Sequence, residues 1–180
     1  MKRYPFLLAP MIVLLSGYGL WLSADEDEHE RKGRAQVATV QNAFYREECG
    51  SCHFAYQPGF LPAESWTKMM QGLEDHFGEN AELMPEDQQR LTQYLVAHAA
   101  NTSKYAFSVD TMRALKGKTP LRISEVPYIA HEHDEVPQKM VRDNPEVKSF
   151  SYCNKCHTDA DKGVYDEHNI EIPGYGRWDD

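Results

Sequence analysis

Cys49-Gly50-Ser51-Cys52-His53 and Cys153-Asn154-Lys155-Cys156-His157 decide how this sequence is read. Each is a C-x-x-C-H segment, the attachment pattern for c-type haem. The spacing has a chemical reason. Two thiols three positions apart can add to the two vinyl groups of one porphyrin, and the adjoining His offers an imidazole nitrogen to the iron from the same face. The covalent links keep the group from being lost to the surrounding medium. A four-Cys zinc site would draw the two pairs together and needs no His after either. A thioredoxin-like C-x-x-C follows a strand, whereas residues 35–47 read as a helix leading into the first pair. The sequence therefore predicts two covalently bound haem c groups, attached through Cys49, Cys52, Cys153 and Cys156, with His53 and His157 on the irons. All four Cys of the chain are then used and none remains for a disulfide.

A low-spin haem in an electron carrier takes a second protein ligand, His or Met, on its other side. Six His remain: His29, His76, His98, His131, His133 and His168. For the first haem, residues 62–77 read as a helix, with Trp66, Met69, Met70, Leu73 and Phe77 on one apolar face. His76 sits at the margin of that face, just before Gly78 and 23 residues after His53, and is the favoured ligand. Met84 is its rival, because Met84-Pro85 followed by a helix over 86–99 looks like the closing part of a small monohaem cytochrome c. His98 lies on a stripe with Leu91, Tyr94 and Leu95, a pattern that more often marks core than ligand.

The second haem must look backwards, because only 23 residues follow His157. Pro127 can open a short helix within 126–134. His133, 24 residues before His157, shares a helix face with Ile129 and is preferred. His131 and then His168, in a polar turn, are the alternatives, and His29 lies in a charged tail.

The chain has 180 residues, 19 Lys plus Arg and 28 Asp plus Glu, a formal charge of -9. That balance argues against nucleic acid and against docking on anionic lipid through a basic patch, since both want a cationic surface. Lys2 and Arg3 precede an apolar stretch over 4–22, and an acidic run from Asp25 follows. This is export-signal architecture, and it is also just long enough for a tilted membrane span. Residues 1–24 are thus a signal peptide or an N-terminal anchor, and the rest is expected in the periplasm. Helices are expected near 35–47, 63–77, 85–100 and 104–115, the last with Ser108 as a cap. The tail from 163 to 180 should be irregular, and no run alternates like a long strand. The fold class is mostly α and cytochrome c-like, in two small haem-binding halves, 25–103 and 104–180. The second half is short of long apolar helices, so its porphyrin must supply much of its core, and the chain without haem should be unfolded or molten.

Two fully ligated irons pass single electrons and leave no site for a substrate. Bis-His ligation usually gives a lower reduction potential than His-Met, within limits set by burial. An acidic carrier should meet its partners through their cationic patches, at a rate that falls with salt. The competing classes are a dihaem peroxidase, which needs a displaceable distal ligand, and a haem-based redox or gas sensor.

The chain also resembles a bacterial family, the dihaem cytochromes c of the DHC type. The likeness is carried by Tyr45 to His53, Tyr56-Gln57-Pro58-Gly59, Leu61-Pro62, Ser65-Trp66, Asp75 to Ala81 and Tyr94-Leu95. In the second half it is carried by Arg122-Ile123-Ser124, Glu132-His133 and Cys156 to Ala160. The resemblance implies a mostly helical protein of two domains with two bis-His haems, the distal ligands falling on His76 and His133. It implies electron delivery from a membrane cytochrome b to an oxygen-binding monohaem cytochrome c. His98 stands where the family more usually has Asn, and His131 is an extra His beside His133.

Overall fold

The computed structural model describes residues 33–178. The first of its helices, α1 (Ala43–Cys49), starts where Asn42 caps it: the Asn42 side chain accepts the Tyr45 N–H at 3.0 Å. The stretch before it is irregular, with a bend at Gln36 and Val37, rather than helical, which corrects the expected start near 35. Gln36 and Val37 donate their N–H groups to the Gly163 carbonyl, and Phe107 N–H donates to Gln36 O. Backbone bonded to distant segments is not free to form a helix ladder. Val37 is fully buried and Val40 nearly so, which anchors this stretch in the core.

A tight turn over Pro58–Phe60 leads into α2 (Ala63–Gln71). The helix expected to reach residue 77 ends at Gly72 and continues as a 3-10 turn over Leu73–Asp75. Trp66, Met70 and Leu73 are buried as the apolar pattern requires, whereas Phe77 is 42% exposed. α3 (Pro85–Ala97) opens on a Pro at its first position and buries Leu91 and Leu95. It packs against α2, and Ala100 N–H donates to Leu61 O at 2.9 Å, tying its far end back to the start of α2.

α4 (Ala106–Leu115) packs on α5 (Pro127–His131) and on the Pro58–Phe60 turn. Ser108 is not its cap, contrary to expectation. It is the third residue of the helix, fully buried, and its hydroxyl donates to Gly59 O at 2.9 Å. A four-residue helix, α6 (Gln138–Val141), follows. The tail contains a minimal hairpin where only irregular chain is expected. β1 (Glu171–Ile172) pairs antiparallel with β2 (Gly176–Arg177), Glu171 opposite Arg177 and Ile172 opposite Gly176. Pro173-Gly174 makes the turn, with Gly174 at φ 76°, a conformation that favours glycine. Glu171 N–H donates to Cys156 O, so the hairpin braces the second Cys pair.

The core runs through both halves of the sequence. Tyr45, Phe60, Trp66, Leu91 and Leu95 pack in one cluster with Leu115, Ile123 and Val126. Among the described residues no helix is long and apolar enough to cross a membrane; the apolar stretch over 4–22 and His29 lie outside them.

Candidate haem centres

At the first C-x-x-C-H, α1 delivers Cys49 and the chain then turns through Gly50 to Cys52 and His53. His53 Nδ1 lies 2.7 Å from Phe54 O. A carbonyl only accepts, so the proton sits on Nδ1 and the Nε2 lone pair is left for a metal. The His76 ring stands opposite, its centroid 6.2 Å from that of His53, with the planes 21° apart. Two imidazole nitrogens at about 2 Å from a shared metal, with ring centres about 1 Å beyond, give a spacing of about 6 Å. The pair is therefore spaced for one iron. His76 reaches this position from a tight loop: its N–H donates to Glu79 O at 2.8 Å, and Gly78 holds φ at 100°. Burial, then the neighbouring His53 and Arg122, lower its pKa and favour the neutral, ligating form.

At the second motif, Cys153–Lys155 form a 3-10 turn and His157 N–H donates to Cys153 O at 2.9 Å. The His133 ring lies 5.9 Å from the His157 ring, with the planes 71° apart. His133 Nδ1–H donates to Ile129 O at 2.7 Å, the helix-face partner its spacing suggests. Burial, with a smaller effect from His133, brings the His157 pKa down to about 4. Its Nδ1 is buried without a hydrogen-bond partner.

The competing residues stand elsewhere. Met84 is 72% exposed at the start of α3. The Nδ1–H of His98 donates to Tyr94 O at the exposed end of the same helix. His131 pairs with Asp134 at 3.2 Å with a largely exposed side chain, and His168 sits beside Glu167 at 3.9 Å. No disulfide joins any of the four Cys, and Cys49 and Cys153 are half-buried. The two Cys pairs do not converge into a zinc site: among the described residues no three His, Cys, Asp or Glu gather to hold a metal.

The two motifs are joined directly. Tyr152 OH donates to Cys52 O at 3.0 Å, and Tyr56 OH to Ser151 O at 3.0 Å. Gln57, 1% exposed, donates to Ala160 O and accepts from Tyr165 OH at 2.7 Å. The Tyr165 ring lies 5.1 Å from that of His157, and the Tyr56 ring stacks 4.9 Å from that of His53. A cavity of about 380 Å³ opens beside this seam, lined by Arg46, Cys52 and His53 on one side and Tyr152, Asn154 and Asp161 on the other. Sequence reading gave Gln57, Tyr152 and Tyr165 no role. The signal for Gln57 was its place in the Tyr56-Gln57-Pro58-Gly59 stretch, but its partners lie more than a hundred residues away.

Two C-x-x-C-H motifs on a mostly helical chain, each with a second imidazole facing its own, define a c-type cytochrome with two covalently bound haems. Residues 45–165 match the family described as dihaem cytochrome c. A diheme cytochrome type c from Shewanella baltica shares 44% identity with this chain, with a TM-score of 0.64, over 78% of this chain and 99% of that one. The diheme cytochrome c from Rhodobacter sphaeroides shares 40% identity, with a TM-score of 0.61, over 72% of this chain and 100% of its own. No curated protein matches. This chain belongs to the dihaem cytochrome c family.

Proposed function

We propose that the protein is a periplasmic electron carrier whose irons are held by His53 and His76 in one half, 25–103, and by His157 and His133 in the other, 104–180. The observation that supports this reading is the pair of imidazole–imidazole spacings, 6.2 and 5.9 Å, each of a length that would let two rings share one metal. When bound, each haem takes up and releases one electron. The chain's own residues set the conditions. Phe54 O and Ile129 O hold the protons of His53 and His133 on Nδ1, leaving Nε2 for iron. An iron held by His53 and His76, or by His157 and His133, would have no free position for peroxide, oxygen or another substrate, which favours a carrier over a peroxidase or a sensor. A membrane cytochrome b is the electron donor in this reading, and an oxygen-binding monohaem cytochrome c the acceptor. Residues 1–24 direct export, as signal peptide or anchor.

The test compares His76→Ala, His133→Ala and His131→Ala by optical and electron paramagnetic resonance spectroscopy. Each of the first two should convert one haem from low spin to high spin and open it to carbon monoxide, with the other haem unchanged. His131→Ala should leave both low-spin. An unchanged spectrum for His76→Ala or His133→Ala removes that residue from the ligand set. Carbon monoxide binding by the unmodified protein would favour the peroxidase or sensor class.

A further inference from the structure

The two pairs of facing imidazoles are oriented differently. His53 and His76 are within 21° of parallel, whereas His133 and His157 are crossed at 71°. Different neighbours fix one ring of each pair. At the first centre, His53 is tied by its Nδ1–H to Phe54 O, and the Tyr56 ring lies on its face at 4.9 Å and 29°. Tyr56 is itself held at both ends, its hydroxyl donating to Ser151 O and its carbonyl accepting from Tyr45 OH. At the second centre, His133 is tied by Nδ1–H to Ile129 O, and the Phe150 ring meets it edge-on at 5.6 Å and 85°. Rotation of either ring about an iron–nitrogen axis would break the bond to the carbonyl and drive the ring into its aromatic neighbour.

We propose that Tyr56 and Phe150 are positioning residues that fix the ligand planes, near-parallel at the first iron and crossed at the second, and so make the two haems of one chain electronically distinct. This rests on the bis-His reading above. An imidazole donates π density into the iron d orbital perpendicular to its own plane. Near-parallel rings load one orbital of the dπ pair and separate the two levels widely. Crossed rings load both and leave them close in energy. The unpaired electron of low-spin ferric iron occupies this pair, so the plane angle is written into the magnetic anisotropy. An electron entering the protein fills the same pair, so the angle is also one of the levers the chain has on each potential.

The test is low-temperature electron paramagnetic resonance of the oxidised holoprotein. The expected spectrum holds two low-spin species in equal amounts, one with three well-resolved g values and one with a single large g value and broad remaining features. Phe150→Leu should shift the large-g species alone, towards the resolved type, and Phe150→Tyr should retain it. Tyr56→Leu should shift the resolved species alone, and Tyr56→Phe, which keeps the stacked ring, should not. Two species of the same type in the unmodified protein would overturn the proposal without any variant. Leu variants that keep both sets of g values would overturn the role of the two aromatic residues. Failure of the ligand assignment reads differently: a high-spin ferric signal, or a sulfur–iron charge-transfer band in the near infrared, would overturn both readings together.

Discussion

Gln57 holds the seam between the two haem motifs. Its amide is inside the protein, with its oxygen accepting from Tyr165 and its nitrogen donating to the Ala160 carbonyl. Gln57→Leu keeps the approximate volume and removes both bonds; the Ala160 carbonyl keeps the Gly163 N–H at 3.0 Å, and the Tyr165 hydroxyl keeps only its longer contact to Ala160 O at 3.4 Å. The holoprotein should lose about 1–3 kcal/mol, read as a lower midpoint in thermal or denaturant unfolding. Ser108→Ala should cost less, about 1 kcal/mol, for the single bond from its hydroxyl to Gly59 O. At this scale the covalent ligands were legible, because haem attachment dictates a local spacing. His76 and His133 could be ranked from spacing and helix face, and the fold brings those two rings opposite His53 and His157. The seam was not legible. Ser108 sits at the start of a helical pattern and resembles a cap, and only the approach of Gly59 from 49 residues away gives its hydroxyl a buried partner.

Among the elements, α1 is the one whose position bears most directly on a haem, since its last residue is Cys49. Its cap is a single side chain, and Asn42→Ala should destabilise the holoprotein by about 1 kcal/mol with haem content unchanged, measured by denaturant unfolding and the pyridine haemochrome assay. The irregular stretch before α1 depends on Gly163. That residue has φ 75°, and a Cβ there would run into the Val37 carbonyl. Gly163→Ala should therefore cost more than about 1 kcal/mol and loosen residues 36–40, seen as faster amide exchange at Gln36 and Val37. The elements that sequence periodicity locates are α2 and α3, which bury apolar stripes of their own, although α2 ends at Gln71 rather than residue 77. The stretch over 35–42 defeats the same reasoning, because its amides bond to Gly163 and its carbonyl at Gln36 to Phe107. A helix pattern there is overridden by partners that local sequence does not contain.

For the whole molecule, the haems are expected to act as structural as well as redox groups. A buried porphyrin contributes at roughly 25 cal/mol per Å² of apolar area removed from water. Replacing Cys49, Cys52, Cys153 and Cys156 with Ala should leave a chain with weak helical circular dichroism and no cooperative melt; a sharp transition like that of the holoprotein would contradict this. The net charge of -9 acts at long range. Electron exchange with a cationic partner should slow about tenfold or more from low to high salt, followed by stopped-flow absorbance.

By itself the sequence determined that this chain carries two covalently bound haems and is mostly helical. Those properties are written in spacings of three or four residues, where bonding geometry and helix period leave little freedom. Only the tertiary structure decided which imidazoles face one another, at what angle, and how the two motifs are sewn together. These depend on contacts such as Tyr152 with Cys52, Gln57 with Ala160 and Tyr165 with Gln57, each made across a hundred residues or more. At such separations no local pattern constrains the partner, and packing of the shared core sets it.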